Sequence, residues 1–313
     1  MYYPFLRGKQ FELITVRESA SLMAGQMVPI IEPVKSSRSS LRRAIEALVE
    51  AEGYFIVIAN PRVGDFEANR QLLREELQKD YLADYGNWSV GWVASDLTTE
   101  DEIRSAFDLA ERVAIIHAGF RSGIELAQIL TRTPGVTHHV FLEEATSKLY
   151  RRHFTSGERI LIRNGFNARR RNADYPQVDH FSDLHITFRD ERMAGFGDYL
   201  IVGSDYSKSG GPAYAVAIHL TFIDTSEDED MFVAHYISDS QTSPTDPGGK
   251  FAEALQKLVA HVSQPGSPVL HTEAVSEFIQ LHQRSHYPGL GYAKKVSMQH
   301  HIELMADFLA RAD

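Results

Sequence analysis

The sequence predicts an α/β fold: a (β/α) TIM-like barrel, irregular in its last third, where antiparallel strands and C-terminal helices follow. Three observations carry that expectation. Short apolar runs recur: VPIIEPVK (28–35), YFIVIANPR (54–62), SVGWVASD (89–96), RVAIIHAGF (112–120), THHVFLEE (137–144) and ERILIRNGF (158–166). Helix-like segments separate most of them, which is the alternation of a parallel sheet with crossover helices. After residue 166 the spacing changes, and the loops between apolar runs become too short for a helix, so antiparallel neighbours are expected there.

The elements follow in order. The first 25 residues read as a lead-in segment, with Leu13, Val16 and Leu22 at helical spacing and a stop at Gly25. Ser36, Ser37, Ser39 and Ser40 offer N-caps to LRRAIEALVEAEG, which ends at Gly53. A further helix is expected over 68–85. Thr98 or Thr99 caps TTEDEIRSAFDLAE, whose acids lie in the first turn, where the helix dipole favours them. Ser122 opens SGIELAQILTRTPG, and EATSKLYRRHF follows the fifth run. NARRRNADYPQ reads as a polar loop, and FSDLHITFRDERMAGF fits either helix or strand. Three strands are expected at 199–206, 214–223 and 231–238. KFAEALQKLVAHV is an amphipathic helix behind the turn SPTDPGG. TEAVSEFIQLHQ and KVSMQHHIELMADFLARA, with PGLGY between them, build a helical extension over 265–313. The whole chain, 1–313, reads as a single barrel-like domain.

Composition narrows the function classes. A net charge of −10 argues against a surface that is wholly an electrostatic footprint for nucleic acid. With no cysteine, disulfides, thiolate metal sites and cysteine nucleophiles are excluded. No apolar stretch has signal-peptide or membrane-span length, so the cytoplasm is the expected location.

In a barrel the carboxyl ends of the strands share one rim. The polar residues ending the six runs are therefore the site candidates: Glu32 and Lys35, Asn60 and Arg62, Asp96, His117, Glu143 and Glu144, Arg163 and Asn164. Carboxylates, a histidine and cations in one cleft suit general acid–base work or a divalent cation. The alternative is that each caps a strand or pairs with a loop. His117, Glu32 and Glu143 are the catalytic candidates. Glu32, Asp96 and Glu143 come from alternate strands and would share a layer as metal ligands. An oxygen ligand set favours Mg2+ or Mn2+ over zinc. Lys35, Asn60, Arg62 and Arg163 would bind substrate, joined by Lys208 in the glycine-rich GSDYSKSGG (203–211). Such a loop can cradle phosphate through backbone N–H groups, or simply turn. No GxSxG, Walker loop or HExxH is present.

Other clusters add less. Lys148, Arg151, Arg152, Arg159, Arg163, Arg169, Arg170 and Arg171 crowd 148–171 against the single acid Glu158. Arginine forks suit phosphate, so an anionic small molecule is expected there, or nucleic acid through Arg169, Arg170 and Arg171; a solvated face is the alternative. His282 and His286, spaced i, i+4, would share a face if a helix covered both, without a convincing third ligand. His219 and His235 fall in late strands, and DTSEDED lacks EF-hand spacing.

The opening YYPFLRGKQFELITVRE followed by MVPIIEPVK, with GGPAYAVAIHLT (210–221), PGGKFAEAL (247–255) and GLGYAKKVSMQHHIELM (289–305), resembles an uncharacterised bacterial family related to the phage Beta proteins. The resemblance spans nearly the whole chain. It implies a barrel-like fold in a bacterial, phage-linked context and brings no catalytic residues with it. Two functions are expected. One is an enzyme on a phosphorylated or nucleotide-like substrate, a metal-assisted phosphodiesterase or hydrolase. The alternative is a non-catalytic barrel that binds a protein partner, encoded nearby, in a phage-related or defence complex.

Overall fold

The computed structural model describes residues 1–35, 38–66, 73, 85–207, 211–226 and 228–312. The chain forms two compact units, 1–164 with 187–199, and 165–186 with 200–313. Among the described residues no helix is long and apolar enough to cross a membrane.

The first unit is the barrel. In chain order it holds β1 (Phe5–Leu6), α1 (Gln10–Met23), β2 (Ile30–Ile31), α2 (Arg38–Glu50), β3 (Phe55–Ile58), β4 (Trp88–Ala94), α3 (Glu100–Phe107), β5 (Val113–His117), α4 (Gly123–Thr131), β6 (Val136–Leu142), α5 (Lys148–Arg151) and β7 (Glu158–Ile162). The chain then forms β8 (Val178–Ser182) of the second unit and a single turn, α6 (Leu184–Thr187), before β9 (Gly195–Gly197) completes the barrel. The sheet order is β1-β2-β3-β4-β5-β6-β7-β9, parallel throughout. It nearly closes, with one seam. There Tyr2 bridges both Met27 and Phe196, and the N–H groups of Tyr3 and Phe5 donate to Phe196 and Asp198 carbonyls at 2.8 and 2.9 Å. Gly197 makes this approach possible, because a Cβ there would lie 1.9 Å from the Tyr3 carbonyl oxygen.

Strand residues alternate between the two faces. Ile30, Ile56, Ile58, Val93, Ile116, Val140, Ile160 and Ile162 pack together inside the barrel. The intervening Val57, Trp92, Ile115, Phe141 and Leu161 are buried as well. Burial on both faces is why the strands read as unbroken apolar runs. Thr99 and Glu102 form a capping box at α3, and Ser122 and Ser147 cap α4 and α5.

The second unit pairs β8, β10 (Ala217–Asp224) and β11 (Asp230–Ile237) antiparallel in the order β10-β11-β8. The helices α7 (Pro247–Val262), α8 (Glu273–Gln283) and α9 (Leu290–Ala312) complete it. Phe251, Leu255, Leu258, Val275, Phe278 and Val296 build its core with Ile218 and Leu220 of β10.

Three expectations are corrected and one left open is decided. The lead-in supplies a barrel strand, β1, ahead of the expected helix. Residues 199–206 form turns and bends, with Leu200 at φ 50°, and not a strand. The stretch 181–196, which fitted either helix or strand, holds the end of β8, the turn α6 and most of β9. The loop PGLGY ends at Gly289, where φ is 92°, and α9 starts one residue later. The helix expected over 68–85 falls, apart from Leu73 and Tyr85, outside the described residues, as do Ser36 and Ser37.

Candidate functional site

Strand parity sorts the rim residues. Ile30 and Ile58 face the barrel interior, so Glu32 and Asn60, two residues further on, continue those rows to the mouth. Glu32 is 5% exposed. One carboxylate oxygen accepts the Arg62 backbone N–H at 3.0 Å, and the other lies 3.9 Å from the Arg7 guanidinium. Arg7 follows β1 and also sits 5.9 Å above the Tyr199 ring. Gly8, at φ 57°, lets this turn pass Glu32, since a Cβ would meet the Glu32 carbonyl at 2.9 Å. The Arg62 guanidinium donates to the Thr98 hydroxyl and the Val93 carbonyl.

Burial pushes the Glu32 carboxyl above its ordinary value, against the opposing Arg62 N–H and the charges of Arg7 and Arg62. The Lys9 ammonium is held low, first by burial and then, against the pull of Glu12, by the charges of Arg7 and Lys35. The Tyr199 phenol is raised by burial, with Glu144 and Glu32 adding to it and Arg7 opposing. The mouth therefore gathers Arg7 and Arg62 around the buried Glu32, with Lys9 beside Glu12, Arg7 and Lys35; the buried Glu12 accepts the Arg7 N–H at 2.5 Å.

The other rim candidates are held in structural contacts or stand exposed. Asn60 clips β3 to β4: its amide donates to the Val93 carbonyl at 3.0 Å, and its oxygen accepts the Val93 N–H at 2.8 Å. Arg163 and Glu143 form a two-pronged ion pair, at 2.6 and 3.0 Å, across the ends of β7 and β6. Asp96 is exposed in the turn after β4. Glu32, Asp96 and Glu143 are not assembled as a donor set: among the described residues, no group of three or more His, Cys, Asp or Glu could hold a metal ion. Lys208 lies outside the described residues.

His117 belongs to the opposite face from Ile116 and is fully buried. Its ring stacks on Phe141 at 4.5 Å and lies 4.3 Å from Phe154. Nδ1 pairs with the Tyr150 hydroxyl at 2.9 Å and Nε2 with His139 Nδ1 at 3.0 Å. Burial, then the neighbouring His139, holds its pKa far below the ordinary value. It ties the sheet's outer face together and does not reach the mouth.

In the second unit, His219 and His235 stand opposite each other with their Nδ1 atoms 2.7 Å apart. Tyr175 stacks on His235 at 4.6 Å, and Asp179 lies 3.6 Å from its Nε2. Burial lowers both imidazoles, His235 to about 4. Arg169 pairs with Asp179 at 2.8 Å and Arg171 with Asp174 at 2.7 Å, so two of the three arginines of this loop are neutralised locally, while Arg170 is exposed.

Sequence reasoning missed Arg7, Lys9 and Tyr199. The signal for the first two was Gly8, which ends an apolar PFLR as a strand-to-helix turn would. No family model and no curated protein matches the chain.

Proposed function

We propose that the barrel is a hydrolytic enzyme acting at its mouth on a small phosphorylated or nucleotide-like substrate. The observation that carries this reading is Glu32, a nearly fully buried carboxylate raised in pKa yet ringed by cations at the carboxyl ends of the strands. A carboxyl displaced toward neutrality by burial can exchange protons during turnover. Arg7 and Arg62 supply the forked donors that phosphate oxygens accept, and Lys9 and Lys35 add point charge. Glu32 takes a proton from the water as it bonds to phosphorus and returns that proton to the leaving oxygen as its P–O bond breaks, while the guanidinium groups neutralise charge developing on the phosphoryl oxygens. Mg2+ or Mn2+ would enter with the substrate's phosphates, as such ions commonly do, and not on a preformed carboxylate triad. The Glu143–Arg163 pair ties the ends of β6 and β7 together.

A panel of sugar phosphates, nucleotides and phosphodiesters tests the reading, assayed with and without Mg2+ and Mn2+. Glu32→Gln preserves the size of the side chain and an acceptor for the Arg62 N–H. It is expected to lower turnover by about 10²–10⁴-fold, the usual worth of a positioned acid or base, with little change in melting temperature. A Glu32→Gln protein as active as the parent would overturn the assignment.

A further inference from the structure

A second concentration of positive charge lies at the opposite end of the barrel strands, near the starts of β7 and β9. A cavity of about 440 Å3 opens there. Its walls carry Lys148, Arg151, Arg152, Arg159 and Arg192 against two acids, Asp190 and Glu191. Glu191 is already taken: Lys148 reaches it at 2.6 Å and Arg151 at 3.0 Å. The remaining three arginines have no carboxylate partner among the described residues. Arg159 donates only to the backbone carbonyls of Arg192 (3.0 Å) and Arg151 (3.2 Å), and its buried Nε–H has no acceptor. Arg152 and Arg192 are exposed.

This arrangement is costly as it stands. Like charges crowd a partly desolvated guanidinium, and the burial of Arg159 with the charges of Arg151 and Arg192 lowers its pKa. The whole chain is acidic, with a net charge of −10, so general charge balance does not account for the cluster. Arg192 also sits at φ 59°, a left-handed conformation that favours glycine, and so presents its carbonyl to Arg159. An anion with several oxygens would relieve the repulsion and accept the N–H groups left over.

We propose that this cavity binds a polyphosphate group, either free or as the diphosphate of a nucleotide. The volume falls within the usual range for small-molecule sites and exceeds what one phosphate would fill. Three arginines lacking carboxylate partners match a chain of phosphates better than a single one. The proposal stands independently of the chemistry at the mouth.

The test is site-resolved. Phenylglyoxal labels accessible arginines, and peptide mass spectrometry reads each position. Pyrophosphate should slow labelling at Arg152 and Arg192 at least tenfold, and raised salt should restore it. By calorimetry, Arg152→Gln with Arg192→Gln should weaken pyrophosphate binding at least tenfold; both residues are exposed, so folding should persist. Arg159→Lys keeps the charge but loses the fork and should weaken binding in the same direction. Equal affinity for pyrophosphate and ADP marks recognition of phosphate alone, and tighter ADP binding adds contacts from the nucleoside; both support the site. Unchanged labelling at Arg152 and Arg192, or a double variant that binds pyrophosphate like the parent, overturns it.

Discussion

Replacing His117 by alanine removes a ring that four aromatic neighbours enclose and that spends both nitrogens inside the protein. The ring lies within 5.5 Å of Phe141, Phe154, His139 and Tyr150. Truncating a fully buried aromatic side chain costs about 3–5 kcal/mol through lost contacts and the cavity left behind. The Tyr150 hydroxyl and His139 Nδ1 also lose a partner, at about 1 kcal/mol or more each. The sum, about 5–7 kcal/mol, at about 2–4 °C per kcal/mol for a domain of this size, lowers the melting temperature by about 10–28 °C. His117→Phe keeps the volume and the stacking on Phe141 but leaves the two polar partners buried, so its cost should be about 2 kcal/mol. Thermal and urea unfolding of the three proteins at pH 7.5 measure this. Any enzymatic activity should survive per folded molecule. Unchanged unfolding in both variants, with activity lost, would show that His117 works in catalysis and does not brace the sheet.

Two further predictions rest on the same structure. Burial lowers His117, His138 and His139 in the barrel and His219, His235 and His300 in the second unit, with His139, His235 and His300 near 4. Unfolded histidines titrate near 6.5, so between about 6.5 and 4 the unfolded chain binds protons that the native chain refuses. Stability is therefore complete above pH 6.5 and is lost as pH falls through that window, by at most about 1.4 kcal/mol per pH unit for each fully buried histidine; a flat denaturation midpoint from pH 7 to pH 4.5 would contradict it. Gly197→Ala puts a methyl against the Tyr3 carbonyl and must spread the seam, at a cost of about 3 kcal/mol or more, whereas Gly86→Ala, where the added Cβ meets nothing, should be nearly neutral. Equal unfolding midpoints for these two variants would mean that the seam does not close as described.

The six apolar runs become β2 to β7 because parallel strands covered on both faces leave a continuous signature. The strands that close the barrel leave almost none. β1 is two residues and β9 is Gly-Phe-Gly, and what makes β9 a strand is the approach of its backbone to Tyr3, a contact 194 residues away in sequence. The opposite error occurs at Tyr199, Leu200 and Ile201, where an apolar run is buried in turns because Leu200 adopts a left-handed conformation. The site divides in the same way. Glu32 was legible as the carboxylate ending a strand. The facing of His117 was not, because VAIIH is buried throughout and a run without alternation hides which residues point inward. Arg7 was lost with β1.

Glu32 is a buried carboxyl whose desolvation outweighs the cations beside it. Carbon-13 NMR of the protein labelled at glutamate side chains, with the Glu32→Gln spectrum subtracted, follows that one group through a pH titration. A midpoint above the ordinary 4.5 is expected, without any substrate present. A midpoint at or below 4.5 would show that Arg7 and Arg62 win over burial, leaving Glu32 a permanently ionised structural anchor and the mouth without its acid–base group.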